Sequence, residues 1–349
     1  MSDELIIGGQ RIRPGARQKL EIPVADLYTG SAVTMPVYVA RGKKPGPVMF
    51  VSAAVHGDEL NGIEIIRRLI AQKTPKLASG TLIAVPMVNV YGVLNQSRYL
   101  PDRRDLNRCF PGSARGSLAG RVAHVFLTEI VSKCDYGIDL HTGAIHRSNL
   151  PQIRANLTDP ETRDLADAFG VPVLLNADLR DGSLRESAVS MGAKILLYEA
   201  GQALRFDELS IKAGLRGVLN VMTKLGMTNA RAKSKRKTPI EPFVATASAW
   251  VRADESGFVR DRKKLGDRVE AGEVLAEIGN PFGEMLCHVV AVKSGIIIGK
   301  QNIPLVQEGD AMFHIAYFKG DEEGVVEHIE TMQEVLNDDA LNSRASESA

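Results

Sequence analysis

From residue 48 to residue 225 the chain alternates short apolar runs with stretches of helical spacing, and this alternation limits the fold more than any other feature. Residues 48–55 form a nearly unbroken apolar run after Gly46-Pro47, which reads as a strand buried on both faces, and helical periodicity follows at 63–71. The same pattern gives strands at 81–88, 136–140, 171–175 and 194–199. It gives helices at 121–131, 160–168 (opened by Asp159), 183–190 and 207–225. Strands that alternate with helices predict an α/β fold: a mixed, largely parallel sheet with helices on both faces.

The texture changes after residue 230. Five basic residues fall within 231–237, with Pro239 and Pro242 behind them, as expected of a solvated linker over 231–242. Gly257, Gly266, Gly272, Gly279, Gly283, Gly295, Gly299 and Gly309 then punctuate short strand-like segments, so 243–320 is expected to be a small all-β domain, a barrel or a sandwich. An acidic tail with weak helical periodicity occupies 321–349. The expected organisation is therefore a 1–230 α/β domain, to which the site residues below give a catalytic role, the linker, the β domain and the tail. A length of 349 residues is enough for about two domains at roughly 150 residues each.

Charge and composition exclude several function classes. The tail carries nine acidic residues against Arg344 alone, so a net charge of +1 conceals a body of +9. A balanced total argues against a nucleic-acid or membrane partner, and a positive body suits a small anionic substrate. With 44% hydrophobic residues, a mean hydropathy of −0.07 and no apolar run near the roughly 18 residues of a membrane span, the chain reads as an ordinary globular protein. The acidic start Met1-Ser2-Asp3-Glu4 lacks the basic character of a secretory signal, so a cytoplasmic protein is expected. Cys109, Cys134 and Cys287 are odd in number and scattered, which leaves any metal to histidine and carboxylate.

Three expected strand ends carry such residues. His56 and Glu59 follow the 48–55 strand in Val55-His56-Gly57-Asp58-Glu59, His141 follows 136–140 in Asp139-Leu140-His141-Thr142-Gly143, and Glu199 ends 194–199 in Glu199-Ala200-Gly201. In an open α/β sheet the carboxyl ends of strands converge on one crevice. Two imidazoles and one carboxylate form the ligand set of a catalytic zinc, and the remaining Glu199 is then placed to act as general base and acid. A lone His-x-x-Glu has a capping or ion-pair role as its default, and the strand-end placement is what raises this one above it. Arg104-Asp105-Leu106-Asn107-Arg108 adds an arginine able to grip a carboxylate bidentately, with an asparagine beside it.

His56-Gly-Asp-Glu59, Asp105-Leu-Asn-Arg108-Cys-Phe-Pro-Gly112, Asp139-Leu-His141-Thr-Gly143 and Glu199-Ala-Gly201, in this order, resemble the succinylglutamate desuccinylase/aspartoacylase family, relatives of the zinc carboxypeptidases. The resemblance implies one zinc per chain, held by His56, Glu59 and His141, with Glu199 as base and acid. It implies that Asn107 and Arg108 hold a substrate carboxylate, that Arg98 polarises the scissile carbonyl and its oxyanion, and that Arg185 contacts substrate. The segment 265–275 resembles the opening hairpin of a biotinyl or lipoyl half-barrel, but 279–284 offers no lysine for a carrier arm.

The expected activity is zinc-dependent hydrolysis of an N-acyl amino acid, diaminobutyrate derivatives among the substrate types, and the sequence leaves homo-oligomerisation open. A metallocarboxypeptidase on short peptides and a non-catalytic binding protein of the same fold stand as alternatives. His124, His146, His288, His314 and His328 are read as structural or surface residues, Cys109 as a small buried one, and Asp58 as an orienting partner of a ligand.

Overall fold

A computed structural model describes residues 4–71, 77–177, 180–228 and 242–318, with 324, 326, 327 and 329–331. The linker expected over 231–242, Pro242 apart, and the tail beyond 331 lie outside the described residues.

Among the described residues, the core is a thirteen-stranded mixed sheet. At its centre Lys194–Gln202, Tyr136–Gly143, Lys44–Ala53 and Ser79–Val85 lie side by side in parallel. These are the strands legible as apolar runs, because both faces are covered. One face packs the helices Asn61–Ala71, Pro160–Phe169 and Glu208–Lys224, around Ile65, Leu165, Phe169, Tyr198 and Val218. The other packs Leu118–Glu129 and Leu184–Ser190, around Phe50, Phe126, Leu184 and Ile195. Local chemistry sets the helix starts: Asp159, Ser183 and Asp207 each accept a backbone N–H from the first turn of the helix that follows.

The segment before residue 44, unassigned above, adds two ten-residue antiparallel strands, Arg17–Asp26 and Ala32–Arg41, to one edge of the sheet. Arg147–Ala155, also unassigned above, lies antiparallel to Lys194–Gln202. It leads into the C-terminal region, because Gly295–Gln301 pairs with it antiparallel. That region is a sandwich. Ala247–Arg252, Ala311–Tyr317 and Gly295–Gln301 extend the main sheet and face a separate four-stranded antiparallel sheet across Val251, Leu275, Ile278, Val289, Phe313 and Ile315. Ile329, from the start of the acidic tail, packs against Leu150 and Ile296. No described helix is long and apolar enough to cross a membrane.

Gly217 tests whether packing or helix propensity controls the helical layer. Alanine is favoured over glycine by about 1 kcal/mol in a helix, but a Cβ here would come 2.1 Å from the Phe169 ring. Overpacking of this kind costs about 1–3 kcal/mol. Gly217→Ala is therefore expected to lower the urea midpoint. An unchanged or raised midpoint would show that Phe169 yields freely.

Candidate active site

Glu59 is buried, and its two carboxylate oxygens face two different imidazoles. His56 Nδ1 lies 2.7 Å from Oε1 and His141 Nδ1 lies 2.8 Å from Oε2. The Thr142 backbone N–H also donates to Oε2 at 3.1 Å, and the Arg98 guanidinium approaches Oε1 at 3.5 Å. His56 and Glu59 sit in the turn between the Lys44–Ala53 strand and the Asn61–Ala71 helix, while His141 lies near the end of the neighbouring strand. Gly57 makes the turn possible: a Cβ there would come 1.9 Å from the Gly92 backbone.

The outer ring nitrogens are also held. His141 Nε2 meets Asp139 Oδ2 at 2.7 Å, and His56 Nε2 meets Asp105 Oδ1 at 3.1 Å. Ser52 Oγ donates to Asp139 at 2.7 Å, and Arg98 donates to Asp105 from both Nε (3.2 Å) and an Nη (2.9 Å). The carboxylates bonded to the histidines' outer nitrogens are thus Asp105 and Asp139, whereas the buried Oδ1 of Asp58 has no hydrogen-bond partner among the described residues. Burial, and then the neighbouring Glu59 charge, raise the Asp58 pKa, and its backbone carbonyl accepts the Leu204 N–H. Asp139 had a readable signal, since residues i and i+2 of a strand share a face.

Burial alone lowers the imidazole pKa values and raises that of the carboxylate, but mutual attraction outweighs it. His56 is raised, His141 is raised well above its ordinary value by Asp139 and Glu59, and Glu59 is held well below the usual carboxylate range by both histidines. Asp105 is likewise held low against its own burial, by His56 and Arg98. With Nε2–H given to Asp105 and Asp139, loss of the Nδ1 protons leaves two lone pairs directed at one place. This is the tautomer and second hydrogen bond of metal-binding histidine. One ligand atom from each of His56, Glu59 and His141 lies within 4.8 Å of the others, and all three residues are buried, so the set fits a single metal ion of the kind that takes two imidazoles and a carboxylate.

These residues open into a cavity of about 600 Å³, which all eight site residues named from the sequence line. Glu199 stands beside His141 on the adjacent parallel strand, in register, just before a bulge. Its Oε2 accepts from Asn149 Nδ2 at 2.8 Å and pairs with Arg154 at 3.2 Å. Asn107 Oδ1 accepts the Leu184 N–H at 2.9 Å, which ties the Asp105 loop to the helix carrying Arg185. Arg108 donates to the Asn107 carbonyl at 2.5 Å. Its pKa is lowered, first by burial. Among the described residues, six arginines line the cavity against two carboxylates, Glu59 and Glu199. Asn149, Arg147, Arg154 and Trp250 were not legible in the sequence, because chain pairings distant in sequence bring them here.

Known proteins share this architecture. Residues 45–225, just over half of the chain, match the model of the succinylglutamate desuccinylase/aspartoacylase catalytic domain. An N-alpha-acetyl-L-2,4-diaminobutyric acid deacetylase of Halomonas elongata is 27% identical over 308 residues, spanning 85% of this chain and 90% of that protein. Among solved structures, a succinylglutamate desuccinylase/aspartoacylase from Rhodobacter sphaeroides has a TM-score of 0.78 at 25% identity, covering 88% of this chain and 97% of its own. The product-bound ectoine utilization protein EutE (DoeB) of Ruegeria pomeroyi gives 0.77 at 23% identity, covering 88% and 96%, a likeness of fold. By the matched catalytic domain, the chain belongs to the succinylglutamate desuccinylase/aspartoacylase family.

Proposed function

We propose that this protein is a zinc-dependent amidohydrolase that removes the acyl group from a small N-acyl amino acid. The observation that carries the reading is the buried His56–Glu59–His141 group opening into the same arginine-rich cavity as Glu199. The diaminobutyric acid deacetylase from Halomonas supports an N-acyl amino acid as the substrate class. Trp250, from the C-terminal region, also lines the cavity, and the smaller space this leaves supports a small substrate over a long peptide.

In this reading His56, Glu59 and His141 hold the metal. Zinc bound there supplies Lewis acidity, which acidifies water and polarises a carbonyl. Asn149 and Arg154 both engage Glu199 Oε2, so Oε1 is the oxygen left to handle a proton. Glu199 takes a proton from the attacking water and returns it to the departing amine. Arg98, fixed by its fork on Asp105 and leaning toward Glu59, places a preorganised positive charge where the carbonyl oxygen becomes an anion. Arg108 and the Asn107 amide grip the amino acid's carboxylate, and Arg185 completes that wall.

Two variants separate proton transfer from metal binding. Glu199→Gln is expected to lower kcat about 10²-fold or more with metal content unchanged; unaltered turnover would remove Glu199 from the mechanism. Asp139→Asn is expected to weaken metal affinity by about 10- to 100-fold, read by competition with a chelator. Retention of parental affinity would show that the hydrogen bond to His141 Nε2 does not tune the site.

A further inference from the structure

The strand that carries Glu199 loses register with both of its neighbours immediately after that residue. On one side Glu199 pairs with His141, and the next pair is Gln202 with Gly143; on the other it pairs with Gln152, and the next pair is Gly201 with Asn149. Ala200 falls in neither set of pairs. It is nevertheless fully buried, and a buried backbone carbonyl needs a partner. Asn61 supplies one: its Nδ2 donates to the Ala200 carbonyl at 3.3 Å, while its Oδ1 accepts the Asp207 N–H at 2.9 Å. Asn61 is itself buried, opens the Asn61–Ala71 helix and lies two residues beyond Glu59. Gly62 lets that helix start press on the sheet, since a Cβ there would come 2.7 Å from Ala53 Cβ and 2.9 Å from Leu140 Cβ. One amide thus joins the turn that carries His56 and Glu59 to the backbone just after the proposed base.

Gly201 shows how closely the bulge is fitted to that amide. Its φ is +72°, and a Cβ there would come 2.6 Å from Asn61 Nδ2 and 3.0 Å from Ser210 Oγ. A bulge beside an active site re-aims the side chain next to it, and here that side chain is Glu199. The chain beyond the bulge returns to both metal-site segments: the Ala203 N–H donates to the Gly143 carbonyl at 3.0 Å, and the Leu204 N–H donates to the Asp58 carbonyl at 2.7 Å. Leu204 holds a φ of +57° there, a conformation that persists at a non-glycine residue only where its surroundings impose it. Asn149 and Arg154 hold the carboxylate end of Glu199; Asn61 acts on the backbone from which it projects. Tyr198, one residue earlier, points to the opposite face of the sheet and donates to the Ser210 carbonyl at 2.8 Å without engaging the bulge.

Resting on the deacylase reading, we propose that Asn61 is a positioning residue for Glu199: its bond to the Ala200 carbonyl fixes the bulge and so sets where the general base stands relative to the His56–Glu59–His141 group. Asn61 does not line the cavity, so its effect passes through the backbone.

The test uses the full chain loaded with zinc. Asn61→Ala is compared with Tyr198→Phe, which removes a buried hydrogen bond of the residue before Glu199 and leaves the bulge alone. Both kcat and KM are measured on whichever of N-acetyl-L-aspartate, N-acetyl-L-alanine and N-α-acetyl-L-2,4-diaminobutyrate the parent turns over fastest, with zinc content determined beside them. Asn61→Ala is expected to lower kcat about 10²-fold, the cost of misplacing a reacting group by about 1 Å, with KM and zinc content unchanged. Tyr198→Phe is expected to keep the parental kcat. Asn61→Leu, which fills the space without making either bond, takes the place of Asn61→Ala if that variant melts below the assay temperature. An unchanged kcat, an equal loss in Tyr198→Phe, or a loss that tracks the zinc content would each overturn the proposal. Crystal structures of the parent and the Asn61 variant give a readout that needs no turnover. A displaced Glu199 carboxylate with His56, Glu59 and His141 in their places upholds the assignment, and an unmoved Glu199 ends it. If the parent hydrolyses none of the three compounds, the deacylase reading fails instead, and those two structures alone decide the role of Asn61.

Discussion

The site depends on one buried carboxylate, Glu59, held between two histidines. An ionised carboxyl removed from water carries a desolvation cost of several kcal/mol unless it is matched by charge and hydrogen bonds. Here His56, His141, the Thr142 N–H and Arg98 all converge on it, and the histidines are in turn matched by Asp105 and Asp139. The charges alternate in sign from Arg98 through Asp105, His56, Glu59 and His141 to Asp139. Such a network is stable only when every member is satisfied, which makes it rigid and sensitive to the alignment of the strands that carry it.

That alignment comes from the central parallel strands. Lys44–Ala53 and Lys194–Gln202 flank Tyr136–Gly143, so the residues after or at their carboxyl ends meet above one edge of the sheet. The C-terminal region is tied into the same frame. Gly295–Gln301 pairs with the strand that presents Asn149 and Arg154 to Glu199, and the Asn302 side chain bonds both Ser148 and Gln202. The element that offers Trp250 to the cavity thus shares a continuous sheet with the element that holds Glu199.

Much of this was legible in the sequence, and for a local reason. Strands buried on both faces show as apolar runs, and polar residues placed just beyond them stand out, which singles out His56, Glu59, His141 and Glu199 from the sequence alone. Capping chemistry marked Asp159 in the same way. The signal in Arg17–Asp26 is present as alternation, with Leu20, Ile22 and Val24 buried, but it lies outside the strand–helix rhythm of residues 48–225. The partners of Glu199 left no trace. Asn149 and Arg154 lie on a strand whose neighbour is some fifty residues away, and Trp250 joins them only through pairings with the C-terminal strands. Asp58, adjacent to Glu59, is the orienting partner that proximity along the chain suggests, whereas Asp105 reaches His56 only through the fold.

The central claim is that His56, Glu59 and His141 hold one zinc ion. Elemental analysis of the purified protein beside His141→Ala, prepared identically, tests it most directly. The account predicts about one equivalent of zinc in the parent and a sharp loss in the variant with the fold intact. Metal-free parent protein that gains no hydrolase activity on adding zinc, or equal zinc in both proteins, would contradict it.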